Sequence, residues 1–186
     1  MKIRCSAFLF SLIIAHFNFA QTTYQNIDLG IANIPQENTL WCWAAVSQQI
    51  IYWQKGSAPR QCELVSIANN VSSGYCCYYP QQCNVAGSNL QIQNLILYYG
   101  GRYSSLQMPA NAMVLQETLR QGRPIILQLK LTPYMGHVVV LRGINWVSTA
   151  YGLQPILLIN DPMGYFTQPI PFENLLNYWS GAIVLE

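Results

Sequence analysis

NTLWCWAAVSQQI, residues 38–50, sets one cysteine between two tryptophans where a helical pattern begins. Trp43, Val46, Ile50 and Trp53 recur at helical spacing and form one apolar stripe, which predicts a helix from Cys42 to about Gln54. Cys42 therefore stands in the first helical turn. Cysteine is among the most buried residue types, so the stretch poses a choice between a packing residue and a reactive thiol.

The other cysteines bear on that choice. Residues 1–20 read as a secretory signal peptide: Lys2 and Arg4 precede the apolar run AFLFSLIIA (7–15), and the segment ends on the small residue Ala20. Asn18 departs from the small residue usual at the third position before a cut. Cleavage after Ala20 predicts a secreted or periplasmic protein. No second long apolar run follows, so no membrane anchor is expected. Cys5 leaves with the signal and five cysteines remain. An odd number in an exported chain leaves one thiol over. Cys62, Cys76, Cys77 and Cys83 cluster and read as a local disulfide framework. Adjacent Cys76 and Cys77 are poorly placed to bridge each other. Cys62 is thus expected to pair with one of them and Cys83 with the other. The adjacent pair lacks the spacing of zinc sites, and no metal or cofactor is expected. Cys42 is the odd thiol.

Without the signal, seven Lys and Arg face seven Asp and Glu. This near-neutral balance offers no basic patch for nucleic acid. Residues 21–186 are long enough for one domain with a substantial core, expected to be a monomer. Helical patterns occupy the first half, at 42–54, 62–70, 88–101 and 109–121. Ser88 and Gln91 form a capping box, and Gly100 or Gly101 a stop. Strand-like runs follow at 124–131, 137–146 and 155–161, then FENLLNYW (172–179) as a helical turn or two and GAIVLE as a last strand. Helices first and strands afterwards predict an α+β fold, a helical half packed on an antiparallel sheet.

Rare residues narrow the chemistry. Once His16 is assigned to the signal, His137 is the only histidine, and Asp28 and Asp161 are the only aspartates. A thiol attacks a carbonyl as thiolate, a form favoured by a helix N-terminus and by a neighbouring imidazolium. Cys42 at a helix start and His137 at the head of a strand supply both. The imidazole also protonates a leaving amine, and a third group must hold its ring. Asp161, at the end of the next strand, is placed for this, with Asn160 the alternative, since strand alternation lets only one of them point at His137. A developing oxyanion needs a donor besides the nucleophile's own N–H, and Gln36, six residues before Cys42, carries one.

Gln36, then Cys42-Trp43-Ala44, then Gly136-His137 opening a strand, then Asp161 after another, resembles the papain-like cysteine proteases (clan CA). The local signature of papain and the cathepsins, C-G-[SA]-C-[WY], is matched here only from Cys42 onward. The likeness is nearer to the compact bacterial branch, secreted effector proteases and bacteriocin-leader peptidases, in its WCWAA helix start, GHVVVL strand and DPMG turn. It runs from Pro35 to the final strand. The resemblance implies Cys42 as nucleophile, His137 as acid and base, Asp161 as its orienter and Gln36 as oxyanion donor, acting on a protein or peptide substrate. Asp161 replaces the family's Asn, and Met163 stands where a shielding Trp is usual. The short lead-in before Pro35 leaves no room for a long inhibitory propeptide.

Each member of this set has an ordinary structural use: a cysteine in a Trp-rich core, a satisfied histidine, an Asp-Pro turn. Their order and spacing, with an unpaired thiol in an exported chain, favour the peptidase. Rival outcomes for the same triad are acyl transfer to an amine, as in transglutaminase-like enzymes, and cleavage of cell-wall peptides. A catalytically dead binding module is the non-enzyme alternative, told apart by the reactivity of Cys42.

Overall fold

The computed structural model describes residues 23–186; the expected signal peptide lies outside them. In chain order the elements are β1 (Ile27–Asp28), α1 (Cys42–Lys55), α2 (Gln61–Ala68), α3 (Tyr75–Tyr78), α4 (Asn89–Tyr98), β2 (Ser104–Gln107) and α5 (Ala112–Arg120). Then come β3 (Ile125–Thr132), β4 (Met135–Thr149), β5 (Gly152–Asn160), β6 (Ile170–Pro171), α6 (Phe172–Leu176) and β7 (Trp179–Leu185). The strands form one antiparallel sheet in the order β2-β7-β3-β4-β5-β6, with β1 paired to β4. This is the expected α+β class.

The central strands read as almost unbroken apolar runs because both sheet faces are covered. Ile126, Val140, Ile183 and Leu185 pack with α1, α2 and α4 on one side. Their neighbours Ile125, Leu127, Val139, Leu141 and Val184 pack with Leu115 and Leu119 of α5 and Leu175 of α6 on the other. Side chains alternate across a strand, so every position of such a run meets a core.

The structure departs from the sequence reading at short or polar elements. Ser104–Gln107 is a strand that its polar composition conceals, and its register with β7, Ser104 opposite Leu185, makes it one. α5 starts at Ala112 rather than 109, where the Asn111 side chain caps it by accepting from the Val114 N–H. β4 and β5 extend past the core as a hairpin closed between Thr149 and Gly152.

Both tryptophans of the opening stretch are buried, Trp41 and Trp43 being 0% and 2% exposed. A buried indole N–H needs an acceptor. Trp41 Nε1 donates to the Cys83 carbonyl at 2.8 Å and Trp43 Nε1 to that of Val85 at 3.1 Å. The segment carrying those carbonyls is stapled to α3 by the disulfide Cys76–Cys83, and α3 to α2 by Cys62–Cys77, a pairing the sequence left open. Gly87 closes the packing: a Cβ there would sit 2.2 Å from the Trp43 ring. Gly87→Ala is therefore expected to cost about 1–3 kcal/mol by overpacking, read as a lower urea midpoint with unchanged m-value; an unchanged midpoint would mean the loop yields freely.

Candidate active site

Cys42 is the first residue of α1, half-buried, and the one free cysteine among the described residues. Its position follows from its neighbours, since Trp41 and Trp43 are drawn into the core on either side. The N-cap, Trp41, makes no side-chain capping bond. The first N–H groups of a helix have no intrahelical acceptor, so this helix start presents its donors and the positive end of its dipole to whatever occupies the thiol's cleft.

His137, near the start of β4, is 2% exposed. Its Nε2 lies 2.6 Å from Asp161 Oδ1. Its Nδ1 is buried and has no hydrogen-bond partner, while Cys42 lies near enough to act on the ring's charge. Burial opposes the imidazolium, but the hydrogen bond to Asp161 and the nearness of Cys42, with the charges of both, outweigh it and raise the His137 pKa to about 9.

Asp161 stands one residue beyond β5. Val140 pairs with Asn160, so alternation turns Asn160 away from His137 and brings Asp161 round to it. Asn160 Nδ2 instead donates to the Ile31 carbonyl at 2.8 Å. The Asp161 carboxylate is held by three backbone donors. The Met163 N–H reaches Oδ1 at 2.9 Å, and those of Tyr165 and Phe166 reach Oδ2 at 2.8 and 3.0 Å. Burial pushes the carboxyl up, but the bonds from His137, Phe166 and Met163 prevail and hold it below the ordinary aspartate value. Those three backbone donors were not foreseen from sequence; the DPMG turn, with Gly164 at φ +74°, was their only signal. The ring edge of Tyr165 also meets His137, centroids 6.2 Å apart.

Gln36 is brought to the neighbourhood but is not shown aimed at the thiol. Its Nε2 donates to the carbonyls of Asn38 at 2.7 Å and Thr39 at 2.9 Å, which occupies both amide hydrogens. Its backbone N–H donates to the Pro162 carbonyl at 3.1 Å, tying the lead-in of α1 to the Asp161 turn. Cys42 and His137 line one cavity of about 320 Å³, walled by Trp43, Gly87 and Ile92 on the helical side and by Leu129, Gly136 and Val138 on the sheet side.

Residues 28–182 match the family model described as Peptidase_C39 like family. The peptidase domain of Streptococcus ComA, a bi-functional ABC transporter involved in a quorum sensing pathway, is a structural neighbour at a TM-score of 0.56 and 17% identity. That likeness covers 83% of this chain and 96% of the neighbour. A putative C39-like peptidase from Bacillus anthracis gives a TM-score of 0.56 at 13% identity, covering 87% of this chain and 98% of the other. No curated protein matches.

The raised His137 value makes two predictions. A group titrating near 6.5 unfolded and about 9 folded stabilises the fold fully below about pH 6.5, and that increment is lost as pH rises through about 9. Denaturation midpoints should thus fall between those pH values in the native sequence and fall less in His137→Ala. Because Cys42 contributes to the shift, the His137 NMR titration midpoint in Cys42→Ala should move down from about 9; an unmoved midpoint would separate the two groups.

Proposed function

The chain belongs to the Peptidase_C39 like family, has an α+β papain-like fold and is a cysteine peptidase, and on that premise we propose that Cys42, His137 and Asp161 are its catalytic triad. The observation that carries this reading is the buried His137, with one ring nitrogen bonded to a locked carboxylate and the other unpaired, in a cavity that Cys42 also lines. A buried histidine with a purely structural role satisfies both ring nitrogens, whereas His137 leaves one free.

The steps follow from that arrangement. Cys42 Sγ, as thiolate, attacks the carbonyl carbon of a peptide bond, and the oxyanion forms beside the uncapped start of α1. The Cys42 backbone N–H donates to it. Gln36 is the second donor, turning one amide hydrogen from the Asn38 or Thr39 carbonyl toward the oxyanion when substrate enters. The His137 imidazolium gives its Nδ1 proton to the departing amine, and the C–N bond breaks to leave a thioester. Water, deprotonated at the same nitrogen, then attacks the thioester and releases Cys42. Asp161 keeps the ring in plane and offsets its charge throughout, and its three backbone donors keep it ionised.

We place this activity outside the cytoplasm, after removal of residues 1–20. The two disulfides suit an oxidising compartment. Among the described residues no helix is long and apolar enough to cross a membrane. The substrate is a protein or peptide, and the enzyme acts as a monomer without nucleic acid.

Hydrolysis of a quenched-fluorescence peptide library tests the roles. Cys42→Ala should abolish turnover with the fold intact, and unchanged turnover would end the assignment. His137→Ala should lower the rate by about 10²–10⁴. Gln36→Ala should lower kcat by about 10²–10³ if its amide reaches the oxyanion. A kcat within twofold of the native enzyme would reduce Gln36 to bracing the loop before α1.

A further inference from the structure

The segment from Tyr79 to Gly87 belongs to no helix or strand, and its end, Ala86 and Gly87, lines the Cys42 cleft. It grips the nucleophile's surroundings through four hydrogen bonds. Cys83 and Val85 carbonyls accept from the indoles of Trp41 and Trp43. The Asn84 side chain accepts from the Leu40 N–H at 3.0 Å and donates to Thr39 Oγ1 at 2.8 Å. Every residue from Thr39 to Trp43 except Cys42 is thus held by three consecutive residues, Cys83 to Val85.

One covalent bond fixes those three. Cys83 is bridged to Cys76, which is fully buried and whose N–H donates to Ser66 Oγ of α2 at 2.9 Å. The second bridge, Cys62–Cys77, joins α2 to α3 and does not enter the gripping segment. The two bridges also differ in access: Cys76 and Cys83 are 0% and 5% exposed, whereas Cys77 is half-buried with the Arg60 guanidinium against its sulfur.

We propose that closing the Cys76–Cys83 disulfide arms the peptidase: Cys83 is a positioning residue for Cys42, and the chain is latent until that bridge forms. This rests on Cys42 being the nucleophile. Arming is a thiol–disulfide exchange with a disulfide-donating oxidant. The Cys76 and Cys83 thiols lose two protons and two electrons as their S–S bond forms, and the donor leaves as its dithiol. With the bridge open, the cleft wall keeps only its hydrogen bonds, and the thiol loses its fixed placement against His137. A reducing compartment thus holds the chain inactive, and an oxidising one turns it on without any cleavage.

The test compares two paired substitutions at a temperature where both variants are folded by circular dichroism. Cys76→Ser with Cys83→Ser should lower kcat at least tenfold. Cys62→Ser with Cys77→Ser should keep kcat within twofold of native while melting at a lower temperature. Native kcat in the first variant, or equal losses in both, would overturn the proposal. If the first variant does not fold, native protein is titrated with dithiothreitol and each state is read by differential alkylation and mass spectrometry. Activity should survive opening of Cys62–Cys77, fall with opening of Cys76–Cys83, and return when that bridge is closed again. Full activity with both bridges open would overturn it. An inactive Cys42→Ala beside a fully active Cys76→Ser, Cys83→Ser protein would refute this proposal while leaving the triad standing.

Discussion

Two indole N–H groups, once buried, must find acceptors, and most of the active site's helical side follows from how they do so. Trp41 and Trp43 cannot be pulled into the core around Cys42 unless something buried offers carbonyls to them. The carbonyls belong to Cys83 and Val85, far along the chain, so the segment bearing them must return to the start of α1 and stay there. Such a segment, without secondary structure of its own, loses much conformational entropy on ordering. The Cys76–Cys83 disulfide reduces that loss by restricting the unfolded chain. The same wall that satisfies the indoles becomes one side of the cleft, and Gly87 is small because the Trp43 ring fills the place of a side chain. Packing, polar satisfaction and site geometry are here one constraint.

The sheet side obeys a second constraint, register. A strand reverses its faces at every residue, so a shift of one between β4 and β5 would present Asn160 to His137 and bury Asp161 elsewhere. The observed register sends the neutral amide to the Ile31 carbonyl and the carboxylate to the imidazole. A buried carboxylate is costly unless paired and hydrogen-bonded. Asp161 meets both conditions through His137 and three backbone N–H groups of its own turn. An ionised Asp161 in turn favours the imidazolium against burial, which keeps a proton ready beside the thiol at neutral pH.

The sequence made the large elements legible through strong periodicity, as in α1, or through capping signals, as in α4 with its Ser88–Gln91 box. It also set Cys42 apart by arithmetic, since four clustered cysteines pair and one is left. What stayed hidden depends on partners distant in the chain. Ser104–Gln107 becomes a strand only beside β7, and the choice between Asp161 and Asn160 needs the β4–β5 register. The backbone donors that lock Asp161 have no side-chain signature at all. Gln36 shows the converse: six residues before Cys42, its spacing suggests an oxyanion donor, yet both its amide hydrogens are held by nearby carbonyls. Spacing places a residue near a site without fixing where its side chain points.

In the mechanism proposed above His137 activates the Cys42 thiol, and the triad stands on that coupling. Its most direct measurement is the rate of iodoacetamide labelling at Cys42 in the unreduced protein, followed by peptide mass spectrometry from about pH 4 to about pH 9. A thiol activated by His137 labels at least tenfold faster in the native protein than in His137→Ala at the same pH. Equal labelling rates in the native protein and in His137→Ala across that range would contradict it.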